Sequence, residues 1–139
     1  MPANRETNIK KILIVDDDQH LILGLGSRLK HHGYTVFAAM DAISAISMTR
    51  REDPDLIVLD LGLPAGDGFT VLERLSVLPE CAAIPVIVLS ARDPNENRQR
   101  ALSAGAVAYF QKPPDNQEFL GAIRHALGES SAISSFLTT

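Results

Sequence analysis

The chain lacks several features that mark whole classes of protein. Its 139 residues include no tryptophan and a single cysteine, Cys81, which excludes an intrachain disulfide and fits a reducing compartment. No apolar run approaches the length that crosses a bilayer, and the stretch from Met1 to Lys10 is too polar for a signal peptide. Lys and Arg number thirteen against seventeen Asp and Glu, so a basic nucleic-acid surface is not expected. These absences favour a cytoplasmic protein without direct membrane or nucleic-acid binding.

The chain has ample apolar residues, arranged in short runs. Hydrophobic residues make up 45% of the composition, which at this length suits one domain with its own core. Runs rich in Val, Ile and Leu predict strands at 11–15, 35–38, 56–59, 86–89 and 108–111. Because strands covered on both faces read as continuous apolar runs, the pattern predicts a parallel sheet. We expect an α/β fold of the flavodoxin-like type, a three-layer (βα)5 sandwich with strand order 2-1-3-4-5.

A segment with helical spacing follows each predicted strand. The second helix is expected to begin after a cap at Asp41 and to carry Ala42, Ile43, Ile46 and Thr49. The fourth, at 95–104, is mostly polar and predicts a weakly anchored helix, with Ala101 and Leu102 as its apolar anchors. Asp115 is expected to cap the last helix. We expect an N-terminal tail at 1–9, a folded domain at 10–128 and a C-terminal tail or linker at 129–139.

Acidic residues follow two of the predicted core strands. Asp16, Asp17 and Asp18 come after the first strand, and Asp60 comes after the third, where a Gly/Pro-rich segment begins. In the expected strand order these two strands are neighbours, so their carboxyl ends meet at the sheet edge where α/β proteins bind ligands. Clustered carboxylates repel one another unless a cation or proton lies among them. Asp16, Asp17 and Asp60 therefore predict a divalent-metal site that contains an acceptor carboxylate, whereas Asp18 is expected to cap a helix.

Five sequence pieces resemble the receiver domain of two-component response regulators. They are ILIVDDD at 12–18, DLIVLDLGLP at 55–64, GDG at 66–68, PVIVLSA at 85–91 and GAVAYFQKP at 105–113. Each piece alone is a weak signal, but all five in this order and at this spacing are highly specific. The resemblance extends from about residue 10 to about residue 127, nearly the whole expected domain.

The resemblance implies a phosphoacceptor and a magnesium site. Asp60 is expected to be the nucleophile that forms an aspartyl phosphate. Asp17 and Asp60 are expected to ligate Mg²⁺ through their carboxylates, Asp16 largely through bound water, and Gly62 through its backbone carbonyl. No organic cofactor is expected.

The resemblance also implies a switch and its partners. Lys112 and Ser90 are expected to contact phosphoryl oxygens, and Tyr109 is expected to be the aromatic switch that works with Ser90. The implied donor is the phosphohistidine of a sensor histidine kinase or of a phosphotransfer protein. The implied output is an effector domain, a separate output protein, or a homodimer through the face made by the fourth helix, fifth strand and fifth helix. Catalysis is expected only for the domain's own phosphorylation and dephosphorylation, so the domain is not expected to be an enzyme.

Three residues depart from the commonest family pattern: Gly62, Arg92 and Pro114. In the family, the first two positions border the path of an attacking water, so they bear on the lifetime of the phosphorylated state.

Three other functions compete with a phosphorylated receiver. One is a Mg²⁺-dependent phosphatase of the haloacid-dehalogenase type, in which Asp16 would be the nucleophile. Another is a flavin carrier on the same topology, which the three acids after the first strand disfavour because they would repel a flavin phosphate. The last is a receiver that is never phosphorylated and serves only for docking, which the complete set of acids, Ser90 and Lys112 disfavours.

Overall fold

Strands and helices alternate along the part of the chain that the computed structural model describes, residues 9–64 and 68–129. The strands of this part are β1 (Lys11–Val15), β2 (Thr35–Ala39), β3 (Leu56–Leu59), β4 (Val86–Ser90) and β5 (Ala108–Gln111). Its helices are α1 (Gln19–His31), α2 (Ala42–Glu52), α3 (Gly68–Val77), α4 (Pro94–Ser103) and α5 (Asn116–Ala126). The expected turn at Gly66 and Asp67, and most of both expected tails, lie outside the described residues.

The five strands form one parallel sheet in the order β2-β1-β3-β4-β5. This order confirms the predicted flavodoxin-like α/β fold, in which β1 and β3 are direct neighbours. The four residues of β3 and the last four of β1 are at most 2% exposed, because helices cover both faces of the sheet. Burial on both faces is why these strands appear in the sequence as uninterrupted apolar runs.

Side chains that alternate along the strands supply two separate cores. On one face, strand residues such as Ile14 and Val58 pack with Leu29 of α1 and Ile123 of α5. On the opposite face, strand residues pack with helices α2, α3 and α4; that core includes Leu13, Leu59, Val88, Ala45, Ile46, Phe69, Leu72 and Ala101. The result is the predicted three-layer sandwich. No helix among the described residues is both long enough and apolar enough to cross a bilayer.

Ile43 is the exposed residue among the four that the sequence analysis named for α2. The Asp41 side chain caps the helix as expected, and Ile46 and Thr49 are buried. Ile43, however, is 83% exposed, and Ala45 takes its place in the core. Each residue of an α-helix turns about 100° from the one before. Ile43 is therefore turned well away from the direction of Ala42, Ile46 and Thr49, which explains its exposure.

Helix α4 begins and ends one residue earlier than predicted. Asp93 is the cap, with its side chain accepting the Asn95 N–H at 2.9 Å, and Pro94 occupies the first turn. Proline suits that position because its missing N–H would have no helical partner there. Of the two predicted anchors, Ala101 is fully buried and Leu102 is only half-buried. The expectation of a weakly anchored helix is confirmed.

Candidate functional site

The carboxyl edge of the sheet positions the candidate site residues through backbone hydrogen bonds. The Asp16 amide donates to the Ala39 carbonyl at 3.0 Å, and the Asp60 amide donates to the Val15 carbonyl at 2.9 Å. On the other side of β3, the Lys112 amide donates to the Ser90 carbonyl at 2.8 Å. Each bond continues the ladder just beyond the end of a strand. The backbone of the site residues is therefore held in place by the same hydrogen-bond ladder as the central sheet.

Three carboxylates meet at this edge, as the sequence predicted. Asp16, Asp17 and Asp60 each offer one oxygen, and these oxygens lie within 4.8 Å of one another. Asp16 and Asp60 are buried, at 2% and 7% exposure, while Asp17 is exposed. We call these three residues the acidic pocket. Its open side faces solvent at Asp17, where a ligand has access.

Lys112 supplies a positive charge to the acidic pocket. Its Nζ lies 2.8 Å from Asp16 Oδ2 and 3.6 Å from Asp60 Oδ2. Burial alone would lower the pKa of the Lys112 ammonium, but the hydrogen bond to Asp16 and the charges of Asp60 and Asp16 outweigh burial and raise it. Lys112 is therefore held as a cation beside both buried acids.

Burial dominates the electrostatics of Asp16. It raises the pKa of the Asp16 carboxyl, and the negative charge of Asp60 adds to the increase. The hydrogen bond from Lys112 and the Asp18 N–H, which donates to Asp16 Oδ1 at 2.9 Å, oppose the increase without cancelling it. The ionised form of Asp16 is thus disfavoured in this structure. A cation among the three carboxylates would stabilise that form.

Ser90 and Tyr109 connect the site to the start of α4. Ser90 is the last residue of β4 and is 1% exposed; its Oγ accepts the Arg92 N–H at 3.2 Å. The Tyr109 ring is also buried, and its hydroxyl donates to the Arg92 carbonyl at 2.8 Å. Burial raises the pKa of the Tyr109 hydroxyl, against a hydrogen bond with Ser90. The Tyr109 ring is already buried in this structure. Its predicted movement on phosphorylation stays a prediction.

Similarity to known proteins accounts for this constellation. Residues 12–124 match the family model described as the response regulator receiver domain. The chain belongs to this family. The KDP operon transcriptional regulatory protein KdpE of Escherichia coli is 40% identical over 121 residues, which cover 87% of this chain and 52% of KdpE. The chain spans between a quarter and about half of the length of the curated relatives it matches.

Solved structures agree with this assignment. A CheY-like receiver domain protein from Methanospirillum hungatei superposes with a TM-score of 0.80 at 31% identity, covering 89% of this chain and 98% of that one. The receiver domain of the sensor histidine kinase PA1611 from Pseudomonas aeruginosa gives 0.79 at 27% identity, covering 86% and 98%. That domain holds a magnesium ion in its active-site cleft. The chain is therefore a receiver domain of two-component response regulators, a class that in general does not consist of enzymes in the usual sense.

The acidic pocket of this receiver domain has the donor set of a magnesium site. Three carboxylates and one ammonium leave a formal excess of two negative charges among oxygen ligands, which a hard divalent cation would offset. Asp16, Asp17 and Asp60 are the residues able to hold Mg²⁺. The Gly62 amide donates to Asp60 Oδ1 at 3.2 Å, which places Gly62 beside the pocket as the resemblance implies. A Cβ at Gly62 would lie only 3.6 Å from Asp60 Oδ2, so this position borders the acceptor.

The geometry distinguishes the two candidate nucleophiles. Both oxygens of Asp16 are engaged, Oδ1 with the Asp18 amide and Oδ2 with Lys112 at 2.8 Å. Asp60 has its Oδ2 at a longer 3.6 Å from the Lys112 Nζ. The hydrogen bonds therefore hold Asp16 as a fixed acceptor of two donors and leave Asp60 Oδ2 the freer of the two for attack. This arrangement does not favour the dehalogenase-type alternative.

Two contributors to the site were missed by sequence reasoning. A Cβ at Gly68 would lie 2.3 Å from the Asp60 carbonyl oxygen and 2.6 Å from the Leu61 Cα, so only glycine fits against this backbone. Phe69, the next residue, is buried beneath Arg100 of α4. Gly68 lies in one of the motif pieces, which was a usable signal. Nothing in the local sequence pointed to the contact between Phe69 and Arg100.

Proposed function

We propose that this receiver domain accepts a phosphoryl group on Asp60 from the phosphohistidine of a sensor histidine kinase or a phosphotransfer protein. The observation that supports this most strongly is the position of the Asp60 carboxylate. It is buried at the end of β3, beside two further carboxylates and 3.6 Å from a lysine ammonium. Phosphoryl transfer needs an aligned acceptor oxygen and nearby positive charge more than it needs covalent help from the protein.

In the proposed step, an Asp60 oxygen attacks the phosphorus as the bond from phosphorus to the donor imidazole nitrogen breaks, with the imidazole as leaving group. Lys112 is the cation of the chain placed to pair with a phosphoryl oxygen, and Ser90 is the hydroxyl donor. Asp17 and Asp60 would hold Mg²⁺ directly, Asp16 largely through water, and Gly62 through its carbonyl. When bound, Mg²⁺ neutralises charge on the phosphoryl oxygens. The same groups would serve hydrolysis of the aspartyl phosphate, with no other substrate.

The new charge at Asp60, about −1.5 to −2, is the proposed input of a switch. It would draw Ser90 and Lys112 toward the phosphoryl oxygens and away from their present partners. Tyr109 would respond because it hydrogen bonds next to Ser90, at the Arg92 carbonyl. Movement there would shift α4, and the surface formed by α4, β5 and α5 would carry the output. An effector domain, an output protein or a second copy of the chain would read that surface.

The same proposal includes the boundaries of the domain and its location. Residues 10–128 would form the receiver, with 1–9 as a tail and 129–139 as a tail or linker. The Glu129 side chain accepts a hydrogen bond from the Tyr34 hydroxyl at 2.7 Å, which secures the chain where it leaves the domain. A cytoplasmic location is supported by Cys81, the one cysteine of the chain, which is free and buried.

The test is labelling of purified protein with a small phosphodonor in the presence of Mg²⁺, followed by intact mass measurement. Wild type should gain one phosphoryl group that base and hydroxylamine remove, and Asp60→Asn should gain none. Asp17→Asn should lower both the labelling rate and the Mg²⁺ affinity by at least about 100-fold, since it removes a metal ligand. Asp18→Asn is the matched control, because Asp18 only caps α1 and asparagine caps equally well.

The outcomes separate the competing functions. Equal labelling of wild type and Asp60→Asn would disprove the assignment of the acceptor, and a label mapped to Asp16 would favour the dehalogenase-type reaction. An unlabelled wild type that still binds Mg²⁺ would favour a docking module. Unchanged Mg²⁺ affinity in Asp17→Asn would contradict the proposed metal ligands.

A further inference from the structure

Helix α4 buries little apolar side-chain surface. Ala101 is its one buried side chain, although the helix is ten residues long. At the entrance to the helix, the Tyr109 hydroxyl bonds the Arg92 carbonyl. In its last turns, Arg100 reaches across to α3, and its guanidinium carbon lies 3.7 Å from the centroid of the Phe69 ring. With so little apolar burial, the contact between Arg100 and Phe69 is a substantial part of what holds α4 in place.

Phe69 adjoins a residue that packs against the backbone of the phosphoacceptor. It follows Gly68, whose amide donates to the Leu61 carbonyl at 2.9 Å and whose Cα lies against the Asp60 backbone. Its ring is 1% exposed. A shift of the chain just after Asp60 would therefore move Gly68 and tilt the Phe69 ring beneath the guanidinium. The contacts named in this path do not include Ser90 or the Tyr109 hydroxyl.

We propose that Arg100 is a positioning residue that couples α4 to the phosphorylation site through Phe69, as a second route beside the one through Ser90 and Tyr109. The inference rests on the proposed function, since it assumes that phosphorylation of Asp60 shifts α4. The stacked contact stabilises α4 in the position described above, and phosphorylation of Asp60 is proposed to disfavour that position. Phosphorylation of Asp60 should then weaken the contact between Arg100 and Phe69. Because coupling between two sites is reciprocal, loss of this contact should in turn favour phosphorylation.

The size of the effect follows from the nature of the contact. A cation over an aromatic face contributes roughly 0.5–1 kcal/mol at an exposed site, which corresponds to about a two- to fivefold change in an equilibrium. Alanine has the highest helix propensity, so Arg100→Ala should stabilise α4 if propensity alone mattered. Faster opening of α4 in that variant would thus point to the lost contact. Lysine keeps the charge but not the planar stacking group, so Arg100→Lys should retain part of the effect.

The experiment measures amide hydrogen exchange over residues 92–104, with Mg²⁺ alone and with Mg²⁺ and beryllofluoride, a mimic of the phosphoryl group. In Arg100→Ala, exchange without beryllofluoride should rise about two- to fivefold toward the wild-type value with it. The apparent beryllofluoride affinity should increase by a similar factor. Arg100→Lys should lie between the two proteins. The control is Arg98→Ala, which removes an exposed arginine of the same helix and should behave as wild type.

Two further comparisons complete the test. In a Ser90→Ala background, Arg100→Ala should still raise exchange, since the two routes are separate. If Arg100→Ala accelerates exchange equally with and without beryllofluoride and leaves its affinity unchanged, Arg100 only anchors the helix and the inference is wrong. The inference also fails if Arg100→Ala behaves as wild type while wild type responds to beryllofluoride. Absence of any response in wild type would instead overturn the proposed function.

Discussion

The acidic pocket and helix α4 are held in opposite ways. The residues of the pocket directly follow β1 and β3, whose inner residues are almost completely excluded from solvent. Hydrogen bonds that continue the sheet ladder fix the backbone of the pocket. Helix α4 buries one side chain, Ala101, and its further contacts include a tyrosine hydroxyl at its entrance and a stacked arginine. The difference matches two different tasks. Phosphoryl transfer needs fixed geometry, whereas a switch needs an element with a low free energy of local opening.

The acidic pocket and helix α4 should respond differently to mutation. A change beneath the pocket should destabilise the whole domain, because the pocket and the central sheet are one rigid unit. A change in α4 should be local, because little of the core depends on it. Substitutions at Gly68, Asp16 and Ala101 test this difference.

Gly68→Ala should have the largest effect. The new Cβ would lie 2.3 Å from the Asp60 carbonyl oxygen, so the backbone after the acceptor must move. We expect the free energy of unfolding to fall by about 3 kcal/mol and phosphorylation of Asp60 to slow. Chemical denaturation and labelling with a small phosphodonor measure the two effects.

The matched control is Gly121→Ala in α5, where an added Cβ meets no atom within 4 Å. That substitution should stabilise the domain by up to about 1 kcal/mol, because alanine favours helix. If Gly68→Ala were as stable as Gly121→Ala, the backbone around Asp60 would be pliable, and the pocket would not be a rigid unit with the sheet.

Asp16→Asn should show that the rigid pocket is electrostatically strained without a cation. Burial raises the pKa of Asp16 above its ordinary value of 3.8. The folded state therefore binds the proton more tightly than the unfolded state, and the stability this provides is lost as pH rises through the folded pKa. At pH 7 in the presence of a chelator, Asp16→Asn should be more stable than wild type, because a neutral amide avoids the cost of burying an ionised carboxylate.

The pH dependence provides the check. The difference in unfolding free energy should shrink as pH falls through the raised pKa of folded Asp16, and the part due to ionisation should vanish below 3.8, where wild-type Asp16 is protonated in both states. Urea denaturation at several pH values measures it. A variant less stable than wild type at pH 7 would mean that the ion pair between Asp16 and Lys112 outweighs the burial of the carboxylate.

Ala101→Gly should have the smallest and most local effect. It removes the one buried side chain of α4 and adds a glycine, which weakens a helix by about 1 kcal/mol. Amide exchange within α4 should accelerate about fivefold or more, while exchange in β1 and β3 stays unchanged. Arg98→Gly, at an exposed position of the same helix, isolates the propensity effect and should accelerate exchange less. Equal acceleration across the sheet would show that α4 and the pocket open as one unit.

Most of the fold was predictable from the sequence, because its signals are local and redundant. Strands β1 and β3 appear as unbroken apolar runs, and Asp18, Asp41 and Asp115 are caps recognisable from their positions. Since the order of alternating strands and helices restricts the topology to few choices, the meeting of Asp16, Asp17 and Asp60 followed from neighbouring strands. The motif pieces pointed to Ser90 and Lys112, whose chemical roles remain predictions.

Other features were decided by the tertiary structure alone. The position of Lys112 between Asp16 and Asp60, and the stacking of Arg100 on Phe69, join residues far apart in the chain. Periodicity and motifs report which face a residue occupies, because that depends on its near neighbours. Contacts between side chains of different elements depend on how the packed layers align, and only the folded chain determines this.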